Sequence, residues 1–411
     1  MKALQFERNV PKYAAAMLAG VLRPGAGAKV GPLRLADVDV PDLPGPDWVH
    51  VKPRLAGICG SDLSTIDGTS SRYFDPIVSF PFTMGHEIVA DLIDPAAGLT
   101  EADGTNRVVI EPVLVCISRN VSPVCVHCAA GVAAEAGLQA GLEVAEGDVD
   151  AVAEIAGGGW STTMVAHRSQ LHAVPADMTD EAAAMVEPTA CAIHGVLASS
   201  VQPTDRVVVI GSGTLGLLVV AALREHAAGA QVIVVAKHPV QRDLARALGG
   251  DAVVLVEPDE IKRGVRRLTG AMALGDGDIN RLAGGADLVI DCVGSEASLA
   301  DALAIVRPKG RIAMVGMPGE VKVDLTGLWQ REIHLFGTYA YGTEHLSDGS
   351  SRRTFDLALE LVQSADLGRL VSATYPLSRF TDAVSHAATA GRRGAVKIAF
   401  DLRSEKERHR A

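Results

Sequence analysis

Several things are scarce in this 411-residue chain, and each scarcity closes a class of function. Six cysteines are too few for a disulfide scaffold; in a reducing compartment such residues more often serve metals or packing. No apolar run approaches the roughly 20 residues that span a bilayer. The first ten residues also lack the basic-then-apolar pattern of a secretion signal, so a cytoplasmic protein with no membrane partner is expected. Positive charge is short as well. Against 49 Asp and Glu stand 38 Lys and Arg, and the formal charge of -11 opposes attraction to nucleic-acid phosphates or to an anionic membrane surface. There is no internal repeat and no low-complexity tract beyond the charged tail Arg403–Ala411, which reads as a frayed, solvated end.

What is present is the composition of a folded globular protein, 48% hydrophobic and 21% charged, long enough for two or three domains. Up to about Val174 the chain is rich in Pro, Gly and short Val/Ile runs such as Trp48–Val51 and Arg107–Ile110, the pattern of an irregular, mostly antiparallel β domain. Within it Ala14–Gly31 reads as a surface insertion. After Pro203 short apolar strands alternate with amphipathic helices: Val207–Ile210 then Leu215–His226, Val232–Val235 then Val240–Leu248, Leu288–Ile290 then Ala297–Val306, and Arg311–Val315. Parallel strands need helical crossovers, so this alternation predicts an α/β domain with a doubly wound parallel sheet. From about Gly337 a helix (Phe355–Ser364) and strands (Val371–Tyr375, Ala395–Phe400) suggest a return to the first domain. The expected division is 1–190, 191–336 and 337–411.

Gly211-Ser212-Gly213-Thr214-Leu215-Gly216 is a GxGxxG between a strand and a helix, the context in which this motif binds a dinucleotide. The first Gly permits the tight turn, the second lets backbone approach the pyrophosphate, and the third allows close packing, while the helix N-terminus offers N–H groups to the phosphates. An acidic residue for the ribose 2′-hydroxyl is expected about 20 residues on. Ala236 stands there, followed by Lys237 and His238, so a 2′-phosphate and hence NADP(H) is favoured over NAD(H).

Cys59, His86 and Glu187 lie far apart in sequence, yet each is a residue type that zinc accepts, and three protein ligands would leave a fourth position for substrate or water. Together with Cys59-Gly60-Ser61-Asp62, Gly85-His86-Glu87, Glu187-Pro188 and the Gly211–Gly216 loop, the chain resembles the zinc-dependent medium-chain alcohol dehydrogenase superfamily, in its polyol, threonine and sugar dehydrogenase branch. The resemblance implies a GroES-like β-rich catalytic domain and a Rossmann domain. It further implies zinc on Cys59, His86 and Glu187, with Glu87 as a supporting group or exchangeable ligand. Ser61 would take the proton of the alcohol, and Asp62 would accept a hydrogen bond from His86 and fix its tautomer. Where the family often continues the proton path with a His, this chain has Ser64. The nicotinamide end of the cofactor would meet Cys292, Val293, Val315, Gly316 and Met317.

Cys116, Cys125 and Cys128 fall where the family places a four-thiolate structural zinc, but the fourth cysteine is replaced by Ala136 and the lobe reads as degenerate, with Glu135 or His127 as weak substitutes. Cys191 and Cys292 read as packing residues. The expected activity is hydride transfer between NADP(H) and an alcohol or carbonyl compound, with Tyr73, Phe74, Trp160 and Tyr339 as candidate cleft side chains. The alternatives are a zinc-independent quinone or enoyl reductase of the same fold and a non-catalytic NADP-binding protein; the complete Cys59/His86/Glu187 set weighs against both. The apolar edge at His334–Phe336 suggests a homo-oligomer.

Overall fold

The computed structural model describes residues 1–73, 78–93, 106–131, 157–255, 260–274 and 281–404. They form two compact units, one of Met1–Glu187 with Tyr341–Ala411, the other of Pro188–Ala340. Among the described residues no helix is long and apolar enough to cross a membrane.

The first unit is organised by the ten-residue strand Trp48–Gly57. Its Val49, Val51, Leu55 and Ala56 are buried, and Pro53, which cannot donate to a ladder, sits where the register shifts. Ile88–Leu92 pairs antiparallel on one side, with Ala56 opposite Ile88, and Lys397–Asp401 on the other, with Gly57 opposite Ala399. The end of the long strand therefore meets the start of two others, and the register brings together Cys59 and His86, just beyond their strands, and Lys397, the first residue of its own. Arg107–Ile110 and Leu171–Ala173 extend the sheet beyond Ile88–Leu92, and Val371–Tyr375 extends it beyond Lys397–Asp401.

The segment Ala14–Gly31 lies at the surface in the helices Val10–Leu22 and Gly27–Val30 and the turn between them, where Gly25 and Gly27 donate backbone N–H bonds of 2.7 and 2.9 Å to the buried Asp67 carboxylate. A Cβ on Gly27 would lie 2.1 Å from the Ile66 carbonyl oxygen, so glycine there is a packing requirement. One expectation for this unit needs correction: the frayed tail does not begin at Arg403. Arg403 is buried and its guanidinium pairs with Asp180, Glu181 and Asp401. Asp180, whose side chain is fully buried, also binds Arg54 and Arg107, so three cations converge on one carboxylate. Residues 405–411 lie outside the described residues.

The second unit carries a six-stranded, all-parallel sheet in the order Ala252–Leu255, Gln231–Ala236, Arg206–Ile210, Ala286–Asp291, Val306–Met314, His334–Gly337. In chain order this is 3-2-1-4-5-6, the doubly wound arrangement, whose switch point lies between Arg206–Ile210 and Ala286–Asp291. Strands buried on both faces need continuous apolar runs, which Val207–Ile210 and Val232–Ala236 supply. Helices Thr214–His226, Pro239–Ala247 and Glu296–Ile305 complete the crossovers. Each predicted element of this region is found within a few residues of its expected bounds, the largest change being the strand expected at Arg311, which begins at Val306. His334–Gly337 is an edge strand.

Candidate metal centre and nucleotide loop

In the first unit, one donor atom each from Cys59, His86 and Glu87 lie within 4.8 Å of one another. Cys59 precedes the helix Gly60–Ile66, and the Asp62 carboxylate accepts its backbone N–H at 2.8 Å, which anchors the cysteine to the helix start. The turn before His86 is fixed by Gly85 at φ +99°. A Cβ there would lie 2.3 Å from Trp160, whose indole N–H donates to the Gly57 carbonyl at 3.0 Å. Trp160 is thus a fully buried support of the site and not a cleft residue. Tyr73 and Tyr339 are exposed, and Phe74 lies outside the described residues.

Asp62 approaches the His86 ring with Oδ1 3.6 Å from Nδ1, beyond hydrogen-bond length, so it acts as a nearby charge whose own bond goes to Cys59. Burial opposes protonation of His86, but Asp62, Cys59 and Glu187 together outweigh it and hold its pKa well above the usual 6.5. Glu187 stands in the first turn of the helix Val186–Ala198, ahead of Pro188, a residue suited to a helix start. It is not part of the tight cluster with Cys59 and His86, yet its field reaches His86. The buried Tyr341 hydroxyl donates to its Oε1 at 3.2 Å, and burial pushes its carboxyl up to about 7. An excess of buried carboxylates beside a thiol and an imidazole is a donor set that a divalent cation fits, because the cation removes the cost of burying their charge.

Sequence reasoning missed Lys397. Its ammonium, buried to 2% exposure, pairs with Glu87 Oε2 and donates to the Ile58 carbonyl at 3.2 Å. Glu87 leaves no room for a side chain on Gly57, where a Cβ would lie 1.8 Å from Oε2. Nothing near Lys397 in sequence marks it; only the strand register reveals it. Ser61 is half-buried on the same short helix as Ser64, three residues on and so on the same face.

The three thiols of the other lobe also converge. Cys116, Cys125 and Cys128 place their sulfurs within 4.8 Å of one another, and each sulfur accepts a backbone N–H from another member of the trio at 3.3–3.4 Å. Glu135 lies outside the described residues, and His127 adjoins Cys128 without joining the cluster. Cys191 is half-buried rather than core, as is Cys292.

In the second unit the loop Gly211–Gly216 follows its strand and opens the helix Thr214–His226. Gly211 has φ +90°, and a Cβ on Gly216 would lie 1.9 Å from the Gly211 carbonyl oxygen, so both must be glycine. Above Gly213 nothing lies within 4 Å, and no side chain caps the helix, whose first N–H groups stay available to an anion. Thr214 and Leu215 form its first turn. The neighbouring strand ends at the buried Ala236; Lys237 follows, exposed, and His238 is the N-cap of Pro239–Ala247, its backbone N–H donating to Gln241 Oε1 at 3.2 Å. His238 therefore has a structural role that its sequence position does not announce. Beyond the switch point the buried Asp291 accepts the N–H groups of Val293 and Gly294 at 2.9 and 3.1 Å, and its backbone carbonyl accepts those of Val315 and Gly316. A Cβ on Gly316 would lie 2.6 Å from the Gly294 nitrogen. The two loops are thus locked together, with Val293 and Met317 exposed.

Known proteins resemble this chain over most of its length. Residues 45–176 match the alcohol dehydrogenase GroES-like domain family and residues 214–370 the zinc-binding dehydrogenase family. A sorbitol dehydrogenase of Halalkalibacterium halodurans is 26% identical over 86% of this chain and 92% of its own length. Among solved structures, an Escherichia coli CFT073 protein described as a short chain alcohol dehydrogenase complexed with NADH superposes with TM-score 0.68 at 20% identity, covering 98% of this chain and 99% of that one. A zinc-binding dehydrogenase of Sinorhizobium meliloti 1021 bound to NADP does so with TM-score 0.67 at 23% identity, covering 97% and 98%. This chain belongs to the zinc-dependent medium-chain dehydrogenase superfamily, an enzyme family of NAD(P)-dependent oxidoreduction of alcohols.

Proposed function

We propose that this chain is a zinc-dependent dehydrogenase that exchanges hydride between NADP(H) and a polyol-type alcohol or its carbonyl counterpart. The convergence of Cys59, His86 and Glu87 carries the reading. Cys59, His86 and Glu187 would hold the metal, with Glu87, tied back by Lys397, as an exchangeable neighbour. Zinc bound there supplies a Lewis acid that lowers the pKa of the substrate hydroxyl. Ser61 takes the hydroxyl proton and passes it toward Ser64 or water. Asp62 biases the His86 ring by its charge, and Tyr341 orients the Glu187 carboxylate. Gly211, Gly213, Thr214, Leu215 and Gly216 receive the pyrophosphate. Lys237, with His238 beside it, receives the 2′-phosphate in place of the carboxylate that Ala236 lacks. Cys292, Val293, Val315, Gly316 and Met317 flank the nicotinamide. The two compact units support a catalytic domain of 1–190 with 337–411 and a nucleotide domain of 191–336. The edge strand His334–Gly337 is the proposed pairing surface of a homo-oligomer, which light scattering tests.

Metal analysis with a panel of alcohols and both cofactors tests the whole. About one zinc per chain is expected, lost together with NADP-linked oxidation in Cys59→Ala while circular dichroism is unchanged. Full activity of that variant would defeat the metal assignment, and a preference for NAD at equal concentrations would defeat the cofactor assignment.

A further inference from the structure

The helix Val10–Leu22 is held by its inner side, where Ala16 is buried and a Cβ on Gly20 would lie 2.8 Å from Asp67 Cβ. Its outer side is apolar too. Val10, Ala14, Met17, Leu18, Val21 and Leu22 recur at helical spacing, and Leu18, Val21 and Leu22 are 72%, 82% and 87% exposed. A helix apolar on both faces is one whose outer face is covered by something.

Charge indicates what. From Arg8 to Leu35 there is no acidic residue, while Arg8, Lys12, Arg23, Lys29 and Arg34 are cationic, in a chain of net charge -11. Arg23 caps the end of the helix, and with Lys29, Arg379 and Arg393 it lines a cavity of about 240 Å³. The cavity's one carboxylate, Asp382, is bound to Arg379 at 2.9 Å. Among the described residues no acidic group pairs with Arg23, Lys29 or Arg393. The field there is positive: burial, and after it the charge of Arg393, hold the neighbouring His386 below its ordinary pKa. Net charge does not cancel this local field, because screening in physiological salt confines each charge to about 8 Å.

We infer that this face docks on an anionic lipid membrane, with the outer side chains of Val10–Leu22 in the acyl boundary and lipid phosphate in the Arg23/Lys29/Arg379/Arg393 cavity. An exposed apolar helix face flanked by cationic side chains supplies both terms of such a contact, apolar burial in the acyl boundary and attraction to the phosphates. A second copy meeting this face about a two-fold axis would set cations against cations, which disfavours it as the occupant.

The test is co-sedimentation of the full-length protein with vesicles of phosphatidylcholine alone or mixed with phosphatidylglycerol. Binding to the mixed vesicles, weakened by salt, is expected. Joint Leu18→Glu and Leu22→Glu substitution should lower the partition coefficient by about tenfold or more. Arg23→Ala and Lys29→Ala should each lower it about fivefold. Alcohol oxidation in free solution should be unchanged in all of these variants, which shows that they are folded. The inference is overturned if mixed vesicles do not bind the protein or bind the double variant equally well. It is also overturned if inorganic phosphate binds while vesicles do not, or if the same double substitution splits a dimer that has no affinity for vesicles.

Discussion

In the second unit six consecutive residues, Gly211–Gly216, make the nucleotide loop, and backbone decides its shape: one positive φ and one helix start pressed against the loop's own carbonyl. The donor cluster of the first unit is the opposite case. Its Cys59, His86 and Glu87 come from two strand ends, and Lys397, from a third, reaches Ile58 across 339 residues of sequence. The loop is therefore sensitive to volume and indifferent to most outward side chains, whereas the cluster is sensitive to charge balance. Local backbone sites fail by clash, and sites assembled over long range fail by an unpaired ion.

The largest break should come from Lys397→Met, which leaves the buried Glu87 carboxylate without its cation. Removing one partner of a buried ion pair costs about 3–5 kcal/mol, and urea denaturation of the zinc-free protein should show it. Adding Glu87→Gln should recover much of that loss; if the double variant is as unstable as the single one, charge balance is not what holds this region. Next comes the loop. Gly216→Ala should weaken NADPH binding by up to roughly hundredfold, within the 1–3 kcal/mol typical of overpacking, with zinc content unchanged. Fluorescence titration against NADPH reads it.

Lys237→Ala sharpens the comparison, since it removes a charge from the region governed by backbone. The Michaelis constant for NADP should rise roughly tenfold, about 1.4 kcal/mol, while that for NAD stays almost constant. Equal weakening of both cofactors would refute a 2′-phosphate role. The smallest effect concerns acid. Burial tends to raise the Asp180 pKa, but bonds from Arg54 and Arg107 outweigh it and hold it below 3.8 in the folded state. A depressed carboxyl pKa stabilises the fold above the unfolded value and loses that contribution as pH falls through the folded one. The melting temperature should therefore decline below about pH 4, and more gently in Asp180→Asn.

The parallel sheet was legible in the sequence apart from the strand Ala252–Leu255, because strands buried on both faces must be short apolar runs and because Gly211–Gly216 advertises the turn between them. Cys59, His86, Glu87 and Glu187 were legible as chemical types in known surroundings. Three roles were not. Lys397 carries no local signal, since its partner is set by pairing between strands far apart in sequence. Trp160 looked like a cleft aromatic, and only the glycine at 85 explains why it is buried. Arg403 looked like part of a charged tail because the three carboxylates it meets lie at 180, 181 and 401.

That Lys397 lies so late in the chain has a consequence for how the protein is made. While a ribosome is still synthesising the last strand, Cys59, His86 and Glu87 already exist, but the cation that neutralises Glu87 does not. A nascent chain released before that strand would lack both the partner of Trp48–Gly57 and the cation of Glu87, so the sheet edge and the charge balance of the cluster are completed by the same residues.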